Sequence, residues 1–118
     1  MSFAERFEDL EIWKSARAQV KATYANFRAC KDFPFRDQIQ RAALSVMNNI
    51  AEGFERRTRK DFAHFLDQAK ASCGEVRSLC YAAEDLNYLS PAVADQARTQ
   101  AEELSRRIAA LTRRLRSS

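Results

Sequence analysis

Two glycines and two prolines in 118 residues leave this chain few places to break a helix. Between them apolar residues recur every three or four positions, the period of a helix buried along one side. Alanine, leucine, arginine, glutamate and glutamine dominate, and β-branched residues are scarce. With 46% hydrophobic and 31% charged residues, the composition excludes disorder. The length suits one domain with its own core. No stretch approaches the roughly 20 apolar residues of a membrane span, and the charged N-terminus lacks the apolar centre of a signal peptide.

Four segments emerge. The first is expected over about 8–29, with Leu10, Trp13, Arg17 (through its stem), Val20, Tyr24 and Phe27 as its stripe. Pro34 disfavours helical backbone at the residue before it, so Cys30 to Pro34 reads as a loop. The second helix is expected over 35–54, with the stripe Phe35, Ile39, Ala43, Val46, Ile50 and Phe54. Gly53 stands near its end, where a left-handed cap suits glycine. The third is expected over 59–87, with Thr58 as N-cap and Asp61 near the positive end of the dipole. Its stripe is Phe62, Phe65/Leu66, Ala69, Cys73, Val76, Leu79/Cys80, Ala83 and Leu86. The internal Gly74 marks a close helix–helix approach. Ser90-Pro91 opens the fourth helix, expected over 91–116, as N-cap and first helical residue. Its stripe is Val93, Ala97, Ala101, Leu104, Ile108, Leu111 and Leu115. Short connections favour antiparallel neighbours, hence an all-α, up-down-up-down four-helix bundle in a single domain.

The aromatic residues Phe3, Phe7, Trp13, Phe27, Phe33, Phe35, Phe54, Phe62 and Phe65 crowd the helix ends. They read either as plugs for the bundle ends or as subunit contacts. Cys73 and Cys80 are two turns apart on one helix, about 10 Å, too far for a disulfide. Three cysteines, one His and no Cys-x-x-Cys imply reduced thiols and a cytoplasmic location.

Polar groups on a packing flank need partners. Asn49 and Glu52 flank the second stripe, and Ser72 and Glu75 flank the third. A hydrogen-bonded network with Arg41 as counter-ion is therefore expected, fixing register or a subunit interface, with a ligand site as the alternative. The net charge of +4 is uneven. Glu5, Glu8, Asp9 and Glu11 stand against Arg6 near the start. Arg56, Arg57, Arg59 and Lys60 cluster before and within the third helix, and Arg106, Arg107, Arg113, Arg114 and Arg116 line the fourth. These two basic groups are expected at opposite ends of the bundle, as separate patches. Arginine suits phosphates through its bidentate fork, and a solvated helical face is the simpler alternative.

No Glu-x-x-His pair accompanies the single His64, so no metal centre is expected. Cys73 and Cys80 sit on the apolar stripe as small hydrophobes. With no glycine-rich phosphate loop, neither an enzyme nor a cofactor is expected.

Several segments resemble the small bacterial four helix bundle protein family, also called the 23S rRNA intervening-sequence protein family. They are Phe7-Glu8-Asp9-Leu10-Glu11-Ile12-Trp13-Lys14, Gln38-Ile39-Gln40-Arg41-Ala42-Ala43 and Asn49-Ile50-Ala51-Glu52-Gly53. Asp61-Phe62-Ala63-His64-Phe65-Leu66, Ala71-Ser72 with Glu75, and Leu86-Asn87-Tyr88-Leu89 complete the match, over about residues 3–115. Gln40, Ala71 and Asn87 stand where the family commonly has Arg, Gly and Gly. The resemblance implies a left-handed four-helix bundle, often a ring-shaped homopentamer. Some members are encoded within intervening sequences of large-subunit rRNA genes, and related bundles bind nucleic acid through a basic surface. No enzymatic activity is implied. The expected function is thus binding of RNA or DNA through arginine patches, by phosphates and without base specificity. A structural or adaptor protein making protein–protein contacts is the alternative.

Overall fold

The computed structural model describes residues 4–117. Its helices are α1 (Glu11–Asn26), α2 (Phe33–Phe54), α3 (Arg59–Asp85) and α4 (Pro91–Arg116), with a 3-10 turn at Phe7–Asp9 before them. They lie side by side in a rod of 46 × 19 × 19 Å. Cross-helix bonds give the directions. Gln38 and then Ser45 on α2 meet Glu75 and then Ser72 on α3. Asp67 and then Glu84 on α3 meet Arg116 and then Arg98 on α4. Both pairs are antiparallel. Arg107 of α4 reaches Ser15 of α1, closing the fourth side.

Local chemistry sets the helix ends. Thr58 and Ser90 are the N-caps of α3 and α4, accepting from the Asp61 and Val93 amides. Asp32 does the same for α2, accepting from the Phe35 amide. Helix α2 therefore begins at Phe33, not Phe35. Pro34 is part of its first turn, where a missing N–H costs nothing. The expected first helix is also shorter, because Phe7–Asp9 winds as a separate 3-10 turn and extended Leu10 caps α1. At the end of α3, Asn87 adopts φ 62. The Tyr88 amide donates to the Ala83 carbonyl and the Asn87 amide to that of Glu84, the double bond of a Schellman cap. Asparagine is the natural substitute for glycine there, because it tolerates the left-handed region better than other side chains.

The stripes of α2, α3 and α4 are close to expectation. That of α1 is rotated. Its buried residues are Ile12, Ala16, Gln19 and Thr23, whereas Trp13 and Val20 are half-buried and Tyr24 is 41% exposed. Leu10 and Phe27, which flank the helix, are buried as expected, but between them Arg17 is exposed and the buried side is the one centred on Ala16 and Gln19. Thr23 satisfies its hydroxyl on the Gln19 carbonyl at 2.7 Å. At the far end of α3, Leu86 is half-exposed instead of completing the stripe.

Neither glycine takes its expected role. Gly53 is no left-handed cap: it lies in the last turn of α2, buried and without positive φ. A Cβ there would stand 2.7 Å from Phe65 Cβ and 2.9 Å from Phe62 Cδ1. Gly74, expected at a helix contact, is exposed with nothing within 4 Å of an added Cβ.

Aromatic residues plug both ends. Phe7 meets Trp13, and Phe54 meets Phe62, at one end; Phe35 meets Phe27 and Tyr88 at the other. Phe33 is exposed, and Phe3 lies outside the described residues. Cys73 and Cys80 are buried free thiols. Burial pushes the Cys80 thiol from 9.0 up to about 11, and that of Cys73 in the same direction. The unfolded chain releases these protons near 9.0, while native Cys80 keeps its own until about 11. The native state therefore binds more protons in that window, and stability should fall as pH rises through it. Thermal melts of wild type and Cys80→Ala between pH 8 and 11 test this: the loss should be steeper in wild type, and parallel curves would contradict it.

Candidate nucleic-acid interface

The two basic clusters do not occupy opposite ends. Because α3 and α4 are consecutive and antiparallel, the start of α3 lies beside the end of α4. Arg59 records the join: its Nη2 donates to the Arg114 carbonyl at 2.8 Å and its Nε to the Leu115 carbonyl at 3.3 Å. These carbonyls end a helix and lack intrahelical partners, so a guanidinium there caps α4 and opposes its negative dipole end. Arg56, Arg57, Arg59, Lys60, Arg113, Arg114 and Arg116 thus share one end of the rod. Arg106 and Arg107 stand about 10 Å further along α4.

The members of this group differ in how they are held. Arg116 donates to both carboxylate oxygens of Asp67, at 2.6 and 3.3 Å. This bond pushes its guanidinium pKa above the ordinary arginine value. Arg56 lies over the Phe65 ring, 4.6 Å from its centroid. Arg107 donates to Ser15 Oγ at 3.2 Å. Arg57, Lys60, Arg106 and Arg113 are exposed. None of these four makes an ion pair or hydrogen bond among the described residues. Such cations keep their full hydrogen-bonding capacity for an anionic partner.

The acidic segment that precedes α1 is at this same end. Leu10 and Ile12 share a core cluster with Phe62 and Leu115. Glu8 and Asp9 are paired with Arg6, at 4.0 and 3.7 Å. The end is thus acidic beside α1 and basic beside α3 and α4.

Two cations absent from the sequence expectation join the basic surface. Lys70 and Arg77 of α3 line a shallow groove opposite Arg106 and Arg113 of α4. Their seven-residue spacing, two turns of helix, is the sequence signal that they share a face. Only the pairing of α3 with α4 puts that face beside the arginines.

The expected polar network divides. Ser45, overlooked in the sequence, is its centre: Asn49 donates to the Ser45 carbonyl and hydroxyl, and Ser45 and Ser72 hydroxyls lie 2.8 Å apart. Glu75 accepts from Gln38 at the surface, at 3.3 Å. Arg41 and Glu52 are exposed and make no hydrogen bond or ion pair among the described residues. The reason is angular. Arg41, Glu52 and Glu75 each stand two residues past a fully buried position, Ile39, Ile50 and Cys73, so about 200° of helix turn carries them outward. Asn49 and Ser72 stand three residues past buried Val46 and Ala69 and one before Ile50 and Cys73, so buried positions bracket them and they remain on the flank. His64 is exposed and meets Gln68 at 3.1 Å. No group of three or more His, Cys, Asp and Glu residues is placed to hold a metal among the described residues. Nor is any of the described helices long and apolar enough to cross a membrane.

No curated protein matches this chain. The family model of the 23S rRNA-intervening sequence proteins matches residues 8–110, from the 3-10 turn into the last third of α4. The match spans all four helices, and this protein belongs to the 23S rRNA-intervening sequence protein family.

Proposed function

We propose that this protein is a non-enzymatic, cytoplasmic helical bundle that binds RNA or DNA through phosphates, with the basic end of the rod as its contact surface. The observation that carries this reading is the convergence of the α3 start with the α4 end, which gathers both arginine clusters. Clustered arginines raise the local concentration of phosphate and displace condensed counter-ions from it. Contacts of this kind are strongly salt-dependent and read no base sequence.

Anisotropy titration of labelled RNA and DNA, single- and double-stranded, tests the reading. Binding should be tight at low salt and fall steeply, with a log–log slope of about −0.9 for each phosphate contacted on a duplex. No binding at low salt would leave the cations as a solvated face.

A second reading, contact with protein, is favoured by the opposite end of the rod. Tyr24, Phe33 and Leu86 are exposed there, each by at least 41%. Self-association would cover them, and the resemblance implies a homopentamer; an adaptor role would cover them with another protein. Light scattering after gel filtration separates the two: a single monomeric species would exclude self-association.

A further inference from the structure

The outer groove between α3 and α4 carries features that phosphate contact at the bundle end does not use. Lys70 and Arg77 line it from one side and Arg106 and Arg113 from the other, with Glu102 the carboxylate among its lining residues. The four cations make no ion pair or hydrogen bond among the described residues. On each helix the two cations are about 10 Å apart.

Gly74 stands between Lys70 and Arg77, exposed, with nothing within 4 Å of an added Cβ. A glycine inside a helix weakens it relative to alanine. Here no neighbouring helix needs the space, so packing does not account for it. One turn past Arg77, Tyr81 is 54% exposed. Arg98 lies over its ring, 4.4 Å from the centroid, and is itself fixed by Glu84 at 2.7 Å. The ring is thus backed on one face and open to solvent elsewhere. Positions 70, 74, 77 and 81 step by four, three and four, so they form a single strip along α3.

We propose that this groove is a track for one strand of nucleic acid. Lys70, Arg77, Arg106 and Arg113 hold its phosphates, Gly74 gives its backbone clearance, and Tyr81 stacks a base. A cationic groove beside an aromatic platform is how proteins hold unpaired nucleotides, because every base offers a π-face. A duplex buries those faces in its own stack and has none to give Tyr81. Arg98 makes the platform a better one by holding the ring before the base arrives, so that less ordering is left to binding. The proposal rests on the nucleic-acid reading above and narrows it to a single strand at a defined place.

The test is anisotropy with the full chain, a labelled oligothymidylate, and a duplex of the same length. Tyr81→Ala should weaken single-strand binding by about 5- to 150-fold, the range for losing one stacked base. Tyr81→Phe should keep it, and duplex binding should not change. Lys70→Gln with Arg77→Gln should make the single-strand salt slope shallower by about 1.4, for two lost contacts. Gly74→Gln should weaken single-strand binding while strengthening the helix, so that unfolding cannot account for the loss. Suppose instead that these variants bind the single strand as wild type does, while Arg57→Gln with Lys60→Gln weakens it. The track is then refuted and phosphate binding by the bundle end stands. Equal losses for duplex and single strand in Tyr81→Ala would also overturn the stacking. If wild type binds neither at low salt, both readings fall.

Discussion

Gly53→Ala should lower the thermal midpoint by roughly 10 °C, and Gly74→Ala should raise it by a few degrees. The two substitutions are chemically identical and both fall inside long helices, where alanine is intrinsically better by up to ~1 kcal/mol. Their surroundings reverse the sign. At Gly53 the new methyl would stand 2.7 Å from Phe65 Cβ, 2.9 Å from Phe62 Cδ1 and 3.2 Å from the Phe62 carbonyl oxygen. Phe65 Cβ and the Phe62 carbonyl are rooted in the α3 backbone and cannot swing away, so α2 and α3 must separate. Overpacking of this kind costs about 1–3 kcal/mol, more where backbone must move. Because backbone must move here, a cost of about 3–4 kcal/mol set against a propensity gain of up to ~1 kcal/mol leaves a net loss of about 2–3 kcal/mol, at roughly 4 °C for each kcal/mol in a domain of this size. Gly74 meets nothing within 4 Å, so only the gain remains. Calorimetry of both variants decides it. A Gly53→Ala protein as stable as wild type would mean that α2 and α3 do not approach this closely.

Neutralising either arginine cluster should weaken nucleic-acid binding on the order of 50-fold near 0.1 M salt, if each substitution removes one duplex phosphate contact per residue. The informative quantity is stoichiometry. Arg57→Gln with Lys60→Gln alters the α3 side, and Arg113→Gln with Arg114→Gln alters the α4 side. Since Arg59 bonds the carbonyls of Arg114 and Leu115, the two sides are neighbours. Each pair should therefore lower affinity without changing the number of binding sites per protomer. Patches at opposite ends would behave otherwise: one site would remain at wild-type affinity, and stoichiometry would halve. Titration at concentrations well above and well below the dissociation constant separates these outcomes. Arg59 itself suits this experiment poorly, because removing it also uncaps α4.

Much of this architecture is legible in the chain. Thr58 and Ser90-Pro91 announce the starts of α3 and α4, since a side-chain oxygen before a run of helix formers has a local partner to bond. Asp32-Phe33-Pro34 carries the same signal for α2; reading Pro34 only as a breaker hides it. The outward placement of Arg41, Glu52 and Glu75 follows from their distance past Ile39, Ile50 and Cys73, because the turn per residue is fixed. The α1 seat is harder to read. Both Trp13-Val20-Tyr24 and Ile12-Ala16-Gln19-Thr23 have helical spacing, and aromatic bulk favours the first. The choice between them is made by the surfaces of the helices that α1 packs against, which no local pattern contains.

Every property set within a few residues is thus written in the chain: helix existence, the side-chain caps, the apolar sides of α2, α3 and α4, and the family. The shared end of the two arginine clusters already follows from the up-down-up-down order, because consecutive antiparallel helices bring the start of one beside the end of the next. The tertiary structure alone decided which glycine lies at a helix contact, which side α1 buries, and that Lys70 and Arg77 face Arg106 and Arg113. Each of these depends on the distance between segments remote in the chain. Helical periodicity fixes the direction a residue faces about its own axis, but not what a neighbouring helix puts in front of it.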